Sequence, residues 1–135
     1  MTINNLIDFI DRHTNNGAIY PNAPWGEGIG IEDEGAALIQ RFYSRDWLAL
    51  RSLNLKQRSN FWVECLIDLL DKAYTEDARQ MIIHIALNGT EENFLDAMEC
   101  IRKFRRHVST YTWLKLENRS TEISSKRLKN KPNNY

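Results

Sequence analysis

The amino-acid sequence predicts an all-α fold, a compact bundle of about six or seven antiparallel helices, on three observations. Apolar residues recur at helical rather than alternating spacing along most of the chain. Residues that start and stop helices flank those stretches. Several connections are only two or three residues long, which folds consecutive helices back on one another. The clearest stretch is 61–104, FWVECLIDLLDKAYTEDARQMIIHIALNGTEENFLDAMECIRKF, which predicts three helices in succession.

The first helix is predicted from about residue 2 to 12, with Ile3, Leu6, Ile7 and Ile10 as its buried edge. Residues 13–30, HTNNGAIYPNAPWGEGIG, are rich in glycine, proline and asparagine, which excludes regular structure over much of their length. Disordered segments are poor in large apolar residues, so Ile19, Tyr20, Trp25 and Ile29 predict a long ordered loop after the first helix. Those side chains either plug the loop onto the core or present an aromatic to a partner.

Glu32, Asp33 and Glu34 head a second helix whose apolar positions are Ala36, Leu38, Ile39, Phe42 and Tyr43. Acids in a first turn are dipole partners, and three of them beside an aromatic loop are also a contact for a basic partner. Ser44 is placed to cap a third helix, SRDWLALRSL, with Trp47, Leu48, Leu50 and Leu53 on its apolar side, and 54–59 forms a bend.

In the central stretch the first stripe is Phe61, Trp62, Cys65, Leu66, Leu69 and Leu70, opposite Glu64, Asp68 and Asp71. Thr75 is placed to cap the next helix, with stripe Ala78, Met81, Ile82, Ile85 and Ala86, and Asn88-Gly89 supplies residues that tolerate a left-handed stop. Thr90 starts the third, with stripe Phe94, Ala97, Met98, Ile101 and Phe104. Its acids Glu91 and Glu92 stand at the start and its bases Arg102, Lys103, Arg105 and Arg106 at the end, as a helix dipole favours. Residues 108–117, VSTYTWLKLE, predict a last helix, with a short strand-like segment as the alternative. The polar, basic residues 118–135 read as a mobile tail, which leaves 1–117 as a single helical domain.

With 42% hydrophobic and 27% charged residues the composition is that of a globular protein, and no apolar run is long enough to span a membrane. The first residues lack a basic leader and carry Asp8 and Asp11 within their apolar part, so no signal peptide is expected and the protein is placed in the cytoplasm. Cys65 and Cys100 fall on apolar stripes and read as buried small hydrophobes rather than a disulfide. Cys and His are too scattered for a metal site.

No catalytic pattern emerges. His84 lies near an apolar stripe, but a constellation of Cys65, His84 and an acid has no supporting spacing. GEGIG at 26–30 lacks the lysine and the preceding strand of a phosphate loop. The sequence therefore predicts neither an enzyme nor a cofactor. Charge is uneven: residues 1–99 carry 16 acids and 8 bases, a net of −8, and residues 100–135 carry 10 bases and 2 acids, a net of +8. The basic end is a nucleic-acid signal, although such a binder would work against the field of its own body.

The layout of 46–104, DWLALRSLNLKQRSNFWVECLIDLL, then a helix ending in IALNG, then TEENFLDAMECIRKF, resembles a HEAT-like unit with its neighbours. It is similar to that of the small helical immunity proteins of bacterial polymorphic-toxin and contact-dependent growth inhibition systems, which bind a toxin domain and block it. The resemblance covers about half of the chain and rests on layout. It implies a monomer whose partner is a cognate toxin domain, a nuclease being one expected kind, with occlusion as the mechanism. An acidic face would then meet a basic cleft. Its first placement is Glu32, Asp33 and Glu34 with Tyr20 and Trp25, and its second is Glu64, Asp68, Asp71, Glu76 and Asp77. A helical adaptor or regulator would share the fold, and a nucleic-acid binder using the basic C-terminal stretch is the further alternative.

Overall fold

The computed structural model describes residues 2–14 and 31–129. They form α1 (Thr2–Thr14), α2 (Ile31–Gln40), α3 (Ser44–Arg51), α4 (Asn60–Ala73), α5 (Glu76–Asn88), α6 (Glu91–Lys103) and α7 (Thr110–Lys129), with 3-10 turns at Leu55–Gln57 and Arg105–His107 and no strand among the described residues. The all-α expectation holds. The loop expected to be ordered, with Tyr20 and Trp25, lies outside the described residues, except that His13 and Thr14 extend α1.

The helices sort into two layers. In one, α2 packs on α4 and α4 on α6; in the other, α3 packs on α5 and α5 on α7; α5 joins the layers through α4 and α6. The result is two stacked layers of helices, and α1 closes one end against α2, α3 and α4. Within the first layer the helices run parallel. Gly35 meets Leu69 and Gln40 donates to the Ala73 carbonyl, so α2 ascends beside α4. Thr90 meets Asn60 and Lys103 meets Asp71, so α6 ascends beside α4 as well.

The core follows the periodicity. Leu66, Leu69 and Leu70 of α4, Met81, Ile82 and Ile85 of α5 and Ile101 of α6 are fully buried, joined by Leu6 and Ile10 of α1. Phe9 is also buried while Ile7 is only partly so, which turns α1 slightly from its predicted edge. Gly35 lets α2 approach α4 closely: a Cβ there would come within 2.5 Å of a Leu69 methyl and 2.9 Å of the Phe9 ring. Cys65 and Cys100 are free and buried, as their stripes predict.

Helix starts are local, and two of the predicted caps are present. The Thr75 hydroxyl accepts from Ala78 N–H at 3.1 Å, and Thr90 accepts from Asn93 N–H while Asn93 Oδ1 accepts from Thr90 N–H. Three expectations are corrected. Ser44 does not cap α3: Tyr43 is the cap residue, and the carboxylate that serves this end belongs to Asp46, which accepts from Tyr43 N–H at 2.9 Å and from Ile3 N–H at 3.1 Å. The Tyr43 N–H, opposed by burial and assisted by the Ile3 N–H, holds the Asp46 carboxyl below the usual range, and the group ties the first turn of α1 to the start of α3. Gly89 is extended, with φ −87° and ψ −168°, and its glycine is required because a Cβ would meet Asn93 Cβ and the Ile85 carbonyl at 2.9 Å. The left-handed helix stop is instead Tyr74, with φ 54°.

The third correction concerns the C-terminal stretch. The helix expected at 108–117 forms from Thr110, but it does not give way to a tail at residue 118: α7 continues to Lys129. Leu116 and Ile123 are buried against the core. Between them, the Arg119 guanidinium donates to the Ala86 and Gly89 carbonyls, satisfying groups that the end of α5 would otherwise leave open. Two apolar contacts two turns apart and one inward arginine are enough to dock a helix whose remaining face is polar.

Candidate functional site

The parallel pairing of α4 and α6 sets two identical charge patterns side by side. Glu64, Asp68 and Asp71 stand at i, i+4 and i+7 on α4, and Glu92, Asp96 and Glu99 repeat that spacing on α6. Asp96 is half-buried among them. Burial first, then the charges of Glu64, Glu99 and Glu92, push its carboxyl up to about 6. Among the described residues no cationic group lies within 4.0 Å of Glu64, Asp96 or Glu99.

The field extends to α2. The Cys65 thiol is pushed up strongly, by burial and then by the charges of Asp68, Glu64 and Glu32, so Glu32 of α2 acts on the same group as the acids of α4. Cys100 on α6 is raised to about 11, by burial and then chiefly by Asp71. The acidic face is bounded by cations. Lys72 approaches Asp33 at 3.5 Å, Lys103 approaches Asp71 at 2.7 Å, and Arg127 of α7 reaches Glu91 at 3.6 Å and Glu92 at 3.9 Å. These pairs are exposed and individually weak, so they mark the border of the face rather than neutralise its centre.

The two acidic groups proposed from sequence are thereby divided differently. Glu32 and Asp33 join Asp68 and Asp71 on the layer of α2, α4 and α6. Glu34 faces a cleft lined by Phe9, Arg12, Ala37, Leu38 and Arg41. Glu76 and Asp77 stand at the head of α5 in the other layer, where Glu76 pairs with Arg79 at 2.9 Å and accepts from Gln80 at 3.0 Å, and Asp77 lines a shallow cleft with Ser44, Trp47, Leu48 and Arg51. Tyr20 and Trp25 are outside the described residues. The acids that sequence reasoning left out of the site are Glu92, Asp96 and Glu99; their spacing repeats that of α4, and this was the available signal.

Comparison of the chain with protein-family models, curated proteins and solved structures finds no match. Any functional reading therefore rests on the geometry. Among the described residues no three His, Cys, Asp or Glu side chains are grouped to hold a metal ion, the acidic face included, and no helix is long and apolar enough to cross a membrane.

Part of the basic C-terminal stretch is engaged with the protein itself. Arg105 lies 3.8 Å from the Trp113 ring centroid, Arg119 points inward and Arg127 faces Glu91 and Glu92. His84 sits in the α5 layer with its Nδ1 3.3 Å from the Asn88 amide. Burial, then the Arg51 charge, lowers its pKa and favours the neutral ring. Large side chains stand exposed where the layers end: Tyr43 and Tyr74 are 68% and 70% exposed, with Arg45 and Arg79 against their rings.

Proposed function

We propose that this chain is a non-catalytic binding protein of the immunity type, which occludes a basic cleft of a cognate toxin domain, a nuclease being the best fit, with the acidic face of α2, α4 and α6. The observation that carries this reading is Asp96: a half-buried carboxyl set among Glu64, Glu92 and Glu99 with its charge uncompensated. Such crowding opposes folding, and a cationic partner surface would relieve it. The face spans three parallel helices, so it offers a broad, rigid array of carboxylates to a cleft built to hold phosphates. Occlusion then requires no chemistry from the inhibitor, and long-range attraction speeds encounter.

An adaptor of another pathway would share this fold, and partner identity separates the two. The nucleic-acid alternative finds less support, because Arg105, Arg119 and Arg127 are occupied within the protein. The test is to purify the chain beside the product of the gene immediately upstream, with that product's active site disabled. A tight one-to-one complex, together with rescue of cells expressing the active form, is expected. No complex and no rescue would move the adaptor reading to first place.

A further inference from the structure

On the other layer, a cavity of about 200 Å³ opens between the end of α3, the 3-10 turn Leu55–Gln57 and the second half of α5. It is lined by Arg51, Leu53, Asn54, Leu55, Lys56, His84 and Asn88, with no carboxylate in its wall. In a stretch where acids outnumber bases two to one, two cations and an imidazole around one hollow are a local reversal of sign.

Arg51 and Lys56 stand at helix ends, where bases commonly serve the terminal carbonyls, but here that work is done by others. The Leu48 carbonyl accepts from the Ser52 hydroxyl at 2.8 Å. The His84 carbonyl accepts from the Asn88 amide at 2.9 Å, and Arg119 serves Ala86 and Gly89. Among the described residues the side chains of Arg51, Asn54 and Lys56 are exposed at the mouth of the cavity and have no hydrogen-bond or ion-pair partner within the protein. Asn88 meanwhile contacts the His84 ring at the rim, its amide 3.3 Å from Nδ1.

We infer that this cavity is a binding site for a phosphate-class dianion, inorganic phosphate or the terminal group of a phosphomonoester, held by the Arg51 guanidinium, the Lys56 ammonium and the Asn54 amide. A guanidinium gives paired N–H donors to two oxygens of a tetrahedral oxyanion, and the ammonium of the same lining adds a second charge. The His84 ring adjoins the bound charge without being needed to hold it, which makes it a reporter. The site lies on the layer away from the acidic face and does not depend on what that face binds.

The test is an NMR titration of the histidine ring protons at pH 7 with inorganic phosphate, then with adenosine 5′-monophosphate, sodium chloride keeping ionic strength constant. A saturable shift of His84, absent from His13 and His107, is expected, with half-saturation below about 10 mM and weakened about tenfold or more in the R51Q/K56Q variant. Tighter binding of the nucleotide by about tenfold or more would assign a phosphomonoester, and equal binding would assign the free anion. No shift of His84, equal shifts of all three histidines, or undiminished binding by the variant would overturn the site.

Discussion

Replacing Asp96 by asparagine should make the protein more stable, although it removes a charged surface group and adds no contact. The Asp96 carboxyl moves from an ordinary value of 3.8 to about 6 in the folded chain. Unscreened, that displacement corresponds to about 3 kcal/mol against folding once the group is ionised. Asp96 is only half-buried, so solvent screening reduces the figure to about 1 kcal/mol. A raised carboxyl pKa means that the folded state holds the proton more tightly than the unfolded state. The stabilisation from protonation is complete below the unfolded value of about 3.8 and is lost as pH rises through the folded value of about 6. D96N should therefore exceed the parent by about 1 kcal/mol at pH 7.5, a rise of about 2–5 °C in Tm. The gap should narrow at pH 5 and in high salt. Urea denaturation at the two pH values reads both. A variant less stable than the parent at pH 7.5, or a gap indifferent to pH and salt, would refute the crowding of carboxylates on which the reading of this face depends.

Other substitutions probe the packing that builds the face. Gly35→Ala should destabilise by about 1–3 kcal/mol in chemical denaturation, because its methyl would overlap the Leu69 methyls and the Phe9 ring between α2 and α4. Arg119→Ala should lower stability by about 1–3 kcal/mol through the two carbonyls it leaves open, and truncation after Glu117 should lose at least as much; a truncated chain of undiminished Tm would return 118–129 to the status of a tail. Tyr74→Gly should leave stability unchanged or raise it by up to about 1 kcal/mol, since glycine adopts φ 54° without strain and the ring is mostly exposed; a marked loss in thermal denaturation would show that the ring contributes to folding.

The fold was legible where its causes are local. Stripes such as Met81, Ile82 and Ile85 reach the core, and Thr75 and Thr90 cap, because period and capping need only a few neighbouring residues. The misreadings share another origin. For Gly89 the sequence suggests the commoner of two reasons for a glycine, a left-handed turn, whereas the operative one is closeness to Asn93 and Ile85, a contact that exists only once the turn is built. Residues 118–129 looked unable to fold because their apolar content is small, yet Arg119 finds acceptors more than 29 positions away at the end of α5. The acidic face was half legible. Glu64, Asp68 and Asp71 lie on one side of a predicted helix, but their meeting with Glu92, Asp96 and Glu99 depends on α4 and α6 running parallel as neighbours across an intervening helix, which spacing along the chain does not encode.

Association kinetics of the chain with the inactivated product of the upstream gene, for the parent and for an E64K/E99K variant, would decide whether the acidic face is the binding face. Both positions are exposed, so the folded structure should tolerate the change. Docking through this face predicts an association rate for the variant slower by about tenfold or more at low salt, a difference that shrinks as salt is added, and loss of protection in cells. Equal association rates and undiminished protection would contradict the account and remove α4 and α6 from the interface.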